Sequence, residues 1–169
     1  IILNLTNSVT QDFMANALLA IGASPIMSED ESELNELIYI ASAVNINIGT
    51  LNAQFNKLAL EAATFGKQSG KPVVLDPVGA GATFARTSMS LQLAPHATII
   101  RGNASEIMAL NDATTATAGV DSLHDSSDAN YSGQILAKKY SNTVVISGAT
   151  DLVISGSKIV SSSFGTSLM

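Results

Sequence analysis

Four short polar segments of the sequence each follow a segment whose length and composition are typical of a strand. They are Gly49-Thr50, Asp76-Pro77, Arg101-Gly102-Asn103 and Ser147-Gly148. A carboxylate can bind a divalent cation, an arginine can grip phosphate with two N–H groups, and glycines expose backbone N–H groups to an anion. This combination suits a nucleotide with Mg²⁺, because phosphoryl transfer depends mainly on positioning and on neutralising phosphate charge.

The segment 73–83 is the most informative of these regions. Its Val-Val-Leu run lies between Pro72 and Pro77, which predicts a buried strand with Asp76 at the carboxyl end. The glycine-rich turn that follows can bring backbone N–H groups close to an anion, and Thr83 can open the next helix. Taken alone, this stretch is equally consistent with a solvated aspartate at an ordinary strand–turn–helix corner.

Asn103 and Glu106 have the spacing of a capping box, in which both side chains satisfy backbone N–H groups at a helix start. Spacing alone favours this structural interpretation. It is compatible with a second role, because the same helix N-terminus can present N–H groups to phosphate while Glu106 reaches Mg²⁺ through water. His96 and His124 lie in a turn and a polar segment, and we interpret both as surface residues.

Two common nucleotide-binding signatures are absent from the sequence. The segment 79–84 lacks the third glycine of the dinucleotide fingerprint, and there is no Gly-Lys-Ser/Thr of a P-loop. Any nucleotide site therefore belongs to another class.

The elements that must position these residues form repeated strand–glycine–helix units. Strands are predicted at 44–48, 73–76 and from about residue 97, and helices at 52–66 and 104–110. Units of this kind in succession indicate βαβ crossovers. The sequence therefore predicts an α/β fold with a mostly parallel sheet flanked by helices.

The remaining pattern predicts further elements on both sides of these units. Helices are expected around 13–21, capped by the polar residues 6–8, around 31–41 and around 131–139, with a strand at 143–146. Residues 23–27 are interpreted as a turn and residues 111–128 as a surface loop or short helix. Residues 152–154 and 158–160 are expected to form a hairpin with a three-residue turn.

Composition narrows the class of protein. With 169 residues, one domain is the default, and the net charge of −6 argues against nucleic acid as a partner. There is no apolar run of about 18 residues, no signal-peptide pattern and no cysteine, so a cytoplasmic protein without membrane contact is expected. Charged residues make up only 13%, against about 25% in an average domain, which suggests that other protein covers part of the surface.

Six motifs, in order and at matching spacing, closely resemble the hydroxyethylthiazole kinase family. They are the segments 5–9, 15–27, 47–51, 75–83 followed by Arg86, 100–107 and 119–122. Each motif is weak by itself. Together they cover the chain from residue 4 to about residue 156.

This resemblance implies a ribokinase-like fold and a phosphotransferase. The family transfers the γ-phosphate of ATP, with Mg²⁺, to the hydroxyl of 4-methyl-5-(2-hydroxyethyl)thiazole in thiamine biosynthesis. It also implies a homotrimer with active sites between subunits, which would account for the low charged fraction.

The resemblance also assigns roles by position. The thiazole would be bound by Asn7, Met27, Gly49 and Thr50. ATP would be bound by Arg101, Asn103 and Ser147. Asp76 and Glu106 would be the catalytic carboxylates and would organise Mg²⁺.

Several positions depart from the family pattern. Ser147 stands where Thr is usual, while Asp12 and Phe164 each stand where Asn is common. The family continues past Met169 into a Gly-Thr-Gly-Cys-type loop with the catalytic cysteine. We therefore expect residues 1–169 to be a single kinase domain without the C-terminal third of the fold, and little activity from it alone.

Two alternatives remain open. A related ribokinase-like kinase could act on another small alcohol such as a hydroxymethylpyrimidine, although Met27 and Asn7 disfavour this. The chain could also be a non-catalytic thiazole- or nucleotide-binding relative that retains the pocket without the phosphate-transfer loop.

Overall fold

An eight-stranded sheet forms the centre of the molecule, as seen in a computed structural model that describes residues 1–111 and 127–164. The strand order is β2-β1-β3-β4-β5-β6-β7-β8. The strands are β1 (Ile2–Leu5), β2 (Pro25–Ile26), β3 (Ala43–Asn47), β4 (Val73–Asp76), β5 (Ile99–Asn103), β6 (Thr143–Ser147), β7 (Asp151–Ser155) and β8 (Lys158–Ser162).

The sheet is parallel from β2 to β6 and antiparallel from β6 to β8. The predicted α/β class and the parallel pairing of the central strands are therefore confirmed. The hairpin is also present, but its turn contains two residues, because Ser155 pairs with Lys158. Gly156 has a φ of +58°, which lets it occupy this tight turn, so the predicted three-residue turn was wrong.

Six described helices connect the strands. They are α1 (Gln11–Ala20), α2 (Leu34–Ile40), α3 (Ala53–Gln68), α4 (Phe84–Leu93), α5 (Ala104–Asn111) and α6 (Asn130–Tyr140), with short 3₁₀ turns at Glu31–Glu33 and Ala94–His96. Side chains cap α3 and α4, which follow the glycine-containing turns after β3 and β4. Asn52 accepts from the Phe55 N–H, and Thr83 accepts from the Arg86 N–H. For α1 the N-cap is Thr10, and no side chain caps the helix.

Chain direction decides which face of the sheet each helix covers. The connection from β1 to β2 runs one way along the sheet, and every later parallel connection runs the other way. Because such crossovers are right-handed, α1 belongs to one face and α2 to α5 to the opposite face. Helices α2 to α6 pack side by side, and they bury one apolar row of strand residues that includes Leu3, Ile46, Leu75, Ile100 and Ile146.

The opposite face of the sheet is much less covered by the described residues. Val74, Ile99 and Val145 on this face are half-buried, Val153 is exposed, and α1 contributes no buried side chain. No helix within the described ranges is long and apolar enough to cross a membrane.

Two sequence predictions need correction or lie outside the description. The turn predicted at 23–27 instead contains the short edge strand β2, which pairs in parallel with β1. Two consecutive residues carry too little periodicity to reveal a strand. The segment predicted as a loop at 111–128, with the motif at 119–122 and His124, falls largely outside the described residues, as do residues 165–169.

Candidate active site

The direction of the crossovers reverses between β1 and β3, and this point marks the place where ligands usually bind in open α/β sheets. The crevice lies outside the carboxyl ends of the strands, where consecutive crossovers leave towards opposite faces. The residues that follow β1 and β3 are Asn7 and Gly49-Thr50, and β4 beside them ends in Asp76. The topology therefore places three of the sequence-predicted segments around one crevice.

A chain of hydrogen bonds joins Asn7, Asn47 and Asp76 across the ends of these strands. Asn7 Nδ2 donates to Asn47 Oδ1 at 2.9 Å, and Asn47 Nδ2 donates to Asp76 Oδ2 at 2.9 Å. The Gly49 N–H also donates to Asn47 Oδ1, at 2.9 Å. Asn7 and Asn47 are each only 8% exposed, so the network is largely shielded from water.

Asp76 receives a second polar neighbour from the next strand. Arg101 Nη1 lies 3.6 Å from Asp76 Oδ2, and the Arg101 side chain is 51% exposed. Burial raises the pKa of Asp76 above its ordinary value, while the Arg101 charge and the Asn47 hydrogen bond act in the opposite direction. Asp76 is thus a partly buried carboxylate next to a cation that remains accessible to solvent.

Glu106 is almost completely buried at the start of α5. Its Oε2 accepts from the Asn103 N–H at 2.9 Å, while Asn103 Oδ1 accepts from the Glu106 N–H at 2.9 Å. These reciprocal bonds are the capping box that the spacing predicts. In addition, Glu106 Oε1 accepts from the Gly79 N–H at 2.9 Å, so Glu106 also holds the glycine-rich turn after β4.

Burial raises the pKa of Glu106, and hydrogen bonds from Gly79 and Asn103 oppose this effect. The charge of Asp76 raises the pKa of Glu106 further, and that of Arg101 lowers it. The Glu106 carboxylate can lie close to the backbone of β5 because residue 102 is a glycine. A Cβ added at Gly102 would lie 3.1 Å from Glu106 Oε2. The two carboxylates and the guanidinium therefore form one electrostatically linked group.

Arg86 ties the loop after β3 to the loop after β4. Its guanidinium donates to the carbonyl oxygens of Ile48 at 3.3 Å, Gly49 at 2.8 Å and Val78 at 2.7 Å. Gly79 has a φ of +76°, and an added Cβ there would lie 2.8 Å from Arg86 Cδ. This side chain is thus an internal clamp between the two loops.

Two adjoining pockets lie beside the crevice between β1 and β3. One, of about 200 Å³, is lined in part by Thr50, and the other, of about 120 Å³, in part by Met27. Both are lined by Thr6, Glu29, Phe55 and Leu58. The structure therefore brings Met27 and Thr50 to neighbouring pockets, while Asn7 and Gly49 line neither pocket and both donate to Asn47 Oδ1.

The predicted phosphate-side residues lie at the ends of β5 and β6. Asn103 pairs with Ser147 in the sheet, and the Ser147 hydroxyl donates to the Gly102 carbonyl at 3.3 Å. The structure places both residues at the same sheet edge as Arg101 and Asp76. Of the residues that depart from the family pattern, Asp12 is exposed on α1 and Phe164 is 94% exposed.

Sequence reasoning assigned no role in the site to Asn47, Thr6 or Arg86. A signal for Asn47 was present, because a central parallel strand is usually an almost continuous apolar run and β3 contains Asn45 and Asn47. Thr6 Oγ1 is buried without a hydrogen-bond partner and lines both pockets. No comparable signal marks Arg86, whose partners are backbone carbonyls distant in sequence.

The donor chemistry of the site fits a magnesium ion that also binds phosphate. Mg²⁺ is usually held by one or two carboxylates, with waters and substrate phosphates completing its coordination. Within residues 1–111 and 127–164 there is no cluster of three or more His, Cys, Asp or Glu side chains that would form a complete protein cage. Asp76 and Glu106, two linked carboxylates beside an arginine, match the open arrangement.

Comparisons with known proteins agree with this geometry. The model of the hydroxyethylthiazole kinase family matches residues 1–169. Hydroxyethylthiazole kinase from Chlamydia abortus is 47% identical over 171 residues, covering 100% of this chain and 65% of that protein. The corresponding protein of Oleidesulfovibrio alaskensis is 46% identical over 93% of this chain and 60% of its own length.

Solved structures show the same relationship. The hydroxyethylthiazole kinase protein from Pyrococcus horikoshii OT3 superposes with a TM-score of 0.88 and 37% identity, over 99% of this chain and 63% of that one. Pyridoxal kinase from Staphylococcus aureus shares the fold, with a TM-score of 0.70 and 16% identity over 95% of this chain and 70% of its own. The chain thus spans 65% of the length of the Chlamydia abortus relative, and the fold is confirmed as ribokinase-like.

The order of the motifs, the sheet with its reversal between β1 and β3, and the match of the family model over residues 1–169 lead to one assignment. This chain belongs to the hydroxyethylthiazole kinase family.

Proposed function

We propose that the protein transfers the γ-phosphate of ATP to the hydroxyl of 4-methyl-5-(2-hydroxyethyl)thiazole in thiamine biosynthesis. The observation that carries this proposal is the hydrogen-bonded row from Asn7 through Asn47 to Asp76. It connects the crevice between β1 and β3 with a carboxylate beside Arg101. Membership of the family supplies the identity of the alcohol.

In this proposal the thiazole is bound on the side of β1 and β3. Met27 and Thr50 contribute to the two adjoining pockets, and Phe55 supplies apolar surface to both. Asn7 and Gly49 shape the inner wall, where Gly49 lacks a side chain because a Cβ would lie 2.9 Å from Asn7 Nδ2. The hydroxyethyl group would extend from this wall towards Asp76.

The phosphates of ATP would bind on the side of β5 and β6. Arg101 has five N–H donors and is exposed, so it can grip phosphate oxygens while staying near Asp76. Asn103 and Ser147 lie beside it in paired positions. Asp76 and Glu106 would hold Mg²⁺, which when bound supplies positive charge that offsets the charge of the phosphates.

In this proposal the carboxylate of Asp76 also accepts the proton of the substrate hydroxyl. Its pKa is raised by burial, which makes it a better proton acceptor than an exposed aspartate. Glu106 is less suited to this task, because both of its oxygens already accept backbone N–H bonds. We therefore assign proton transfer to Asp76, and we assign to Glu106 only the role of helping to hold Mg²⁺.

We further propose that the protein is a cytoplasmic homotrimer. Support comes from apolar side chains on and around α1 that are exposed in the isolated chain, including Val9, Phe13, Leu19 and Ile21. The low charged fraction of 13% points the same way. Sedimentation of the purified protein would test it, and a monomeric mass would contradict it.

The activity is tested by incubating the purified full-length protein, and not residues 1–169 alone, with ATP, Mg²⁺ and the thiazole alcohol, and measuring ADP formation and the phosphorylated product. A hydroxymethylpyrimidine serves as the comparison substrate. We expect turnover of the thiazole alcohol and little or none of the pyrimidine. Preferential turnover of the pyrimidine would contradict the substrate, and binding of the thiazole in calorimetry without turnover would indicate a non-catalytic relative.

A further inference from the structure

We propose that Asn47 is a positioning residue that links the substrate-side loops to the carboxylate of Asp76. Its role in catalysis rests on the proposed function, whereas the linkage itself rests on geometry. Asn47 occupies the last position of β3, directly beside Asp76, which ends β4. It is 8% exposed, and it bonds Asp76 on one side and both Asn7 and the Gly49 backbone on the other.

The orientation of the Asn47 amide follows from its partners. The Gly49 N–H can only donate, and it points at one end of the Asn47 side chain from 2.9 Å. That end must be the oxygen. The amide nitrogen therefore faces Asp76 Oδ2, which can only accept when the carboxyl group is ionised.

The orientation of Asn7 is determined in the same way, one step further from Asp76. The N–H groups of Val9 and Thr10 both donate to Asn7 Oδ1 at 3.1 Å. The Asn7 nitrogen must then face Asn47 Oδ1, as observed at 2.9 Å. Every hydrogen bond in this chain consequently points the same way, from the backbone after β1 to the carboxylate of Asp76.

This chain of hydrogen bonds links the position of the Asp76 carboxylate to the position of the substrate-side loops. The Asn47 nitrogen is the shortest described polar contact of Asp76, since the Arg101 nitrogen is at 3.6 Å. Asn47 thus holds one oxygen of Asp76, while its own oxygen holds the loop at Gly49 and the side chain of Asn7. A shift of the substrate-side loops would therefore reach the carboxylate oxygen of Asp76 through the Asn47 amide.

Asn45 provides a matched comparison on the same strand. It lies two residues earlier and therefore on the same face of the sheet, but its amide donates to Asn4 Oδ1 at 3.2 Å, away from Asp76. An Asn-to-Asp substitution adds the same charge and removes the same donor at both positions. Only at Asn47 does it remove the bond to the proposed catalytic carboxylate while retaining an acceptor for Asn7 and Gly49.

The test compares Asn47→Asp with Asn45→Asp in the full chain at about pH 8, where ordinary carboxyl groups are ionised. For Asn47→Asp we expect kcat to fall about 10- to 100-fold, the range for loss of a hydrogen bond to a charged group, with KM for the thiazole alcohol changed by less than about threefold. Asn45→Asp should leave kcat within about threefold. Equal effects of the two substitutions, or a change confined to KM, would overturn the inference.

A second measurement does not depend on the substrate. The free energy of unfolding in urea is measured for Asn47→Asp, Asp76→Asn and the double variant, in which the hydrogen bond can form with donor and acceptor exchanged. We expect the double variant to regain most of the stability lost in Asn47→Asp. Additive losses would show that the two residues are not coupled and would overturn the inference.

The two measurements separate this inference from the proposed function. If the unsubstituted protein does not phosphorylate the thiazole alcohol, the proposed function fails, and the urea experiment alone decides whether Asn47 and Asp76 are linked. If Asn47→Asp does not fold, Asn47→Ser, which removes the amide without adding charge, takes its place. It carries the same expectation for kcat and KM, and an unchanged kcat would overturn the inference.

Discussion

The two sides of the candidate site differ in how firmly their polar groups are held. On the substrate side, Asn7 and Asn47 are nearly buried and each makes several hydrogen bonds of about 3 Å. On the phosphate side, Arg101 is half exposed, and its described ionic contact is the 3.6 Å approach to Asp76. Asp76 lies between the two sides and contacts both.

This difference matches the demands of the two proposed substrates. A small, weakly polar ring offers few groups for recognition, so the wall that binds it must already have its shape. A triphosphate carries several charges that attract a guanidinium group, and the exposed side chain of Arg101 can stay hydrated until the phosphates bind. Substitutions in the wall beside the ring, at Asn7 and Gly49, should therefore affect both stability and KM for the thiazole. Substitution of Asn47, which bonds Asp76, should chiefly lower kcat, and substitutions on the phosphate side should chiefly raise KM for ATP.

The largest effect is expected where the two sides meet. Asp76→Asn keeps the shape of the side chain but removes the charge and the proton acceptor, so kcat should fall by about 10²- to 10⁴-fold. KM for the thiazole alcohol should change little. Steady-state kinetics check this, with Glu36→Gln on the exposed side of α2 as a control for loss of a carboxylate. A kcat within tenfold of the unsubstituted protein, about 1.4 kcal/mol, would remove Asp76 from the catalytic role.

The phosphate side is tested by Arg101→Ala. Because the guanidinium is exposed, the free energy of unfolding should change little, but KM for ATP should rise about 10- to 100-fold through loss of charge-assisted hydrogen bonds. Lys158→Ala, which removes an exposed cation from β8, is the control. If the thiazole KM rises as much as that for ATP, the proposed division between the two sides is wrong.

The substrate side is tested by Gly49→Ala. The new Cβ would lie 2.9 Å from both Asn7 Cβ and Asn7 Nδ2, so Asn7 must move and its bond to Asn47 must weaken. We expect KM for the thiazole to rise about tenfold, with a loss of about 1–3 kcal/mol in stability from overpacking. Gly66→Ala crowds Val73 Cγ2 at 3.0 Å within α3, away from the site. It should lower stability without changing KM, and an equal rise in KM there would mean that Gly49 has no local role.

The smallest effect concerns pH and stability. Because burial raises the pKa of Asp76 above its ordinary value of 3.8, the folded state binds the proton more tightly than the unfolded state. This contribution to stability is full below the ordinary pKa and is lost as pH rises through the raised value. The Asp76→Asn variant has no carboxyl group to titrate at this position. The difference between its free energy of unfolding and that of the unsubstituted protein should therefore shift in favour of the variant as the pH rises above about 4. Urea unfolding between about pH 4 and pH 8 measures this, and a constant difference would show that Asp76 does not titrate as described.

Much of the fold could be predicted from local sequence. The apolar runs at β4 and β6, the alternating apolar and polar residues at β3 and the glycines after them were sufficient to indicate strand–turn–helix units, because the strand side chains that face the helices are apolar. The capping box at Asn103 and Glu106 was visible from its spacing, since its two bonds join residues three positions apart. The edge strand β2 was missed because its two residues have no period.

Less of the candidate site could be predicted. The carboxylate at the end of β4 and the arginine at the end of β5 follow from the rule that parallel strands bring their carboxyl ends to one edge. That Asn47 bonds Asp76, or that Glu106 also holds Gly79, involves partners 29 and 27 residues apart, which no local pattern specifies. Arg86 follows one of the family motifs in the sequence, but its three backbone partners depend on where two loops meet.

The sequence by itself determined the class of fold, the polar ends of the strands and the family, because these depend on residue type and on spacing along the chain. Only the tertiary structure decided which side chains touch, which of them are buried and how the amides are oriented. Those properties depend on strand register and on loops that approach each other through space. The link from Asn7 to Asp76 exists because β1, β3 and β4 are neighbours in the sheet, although they are separated along the chain.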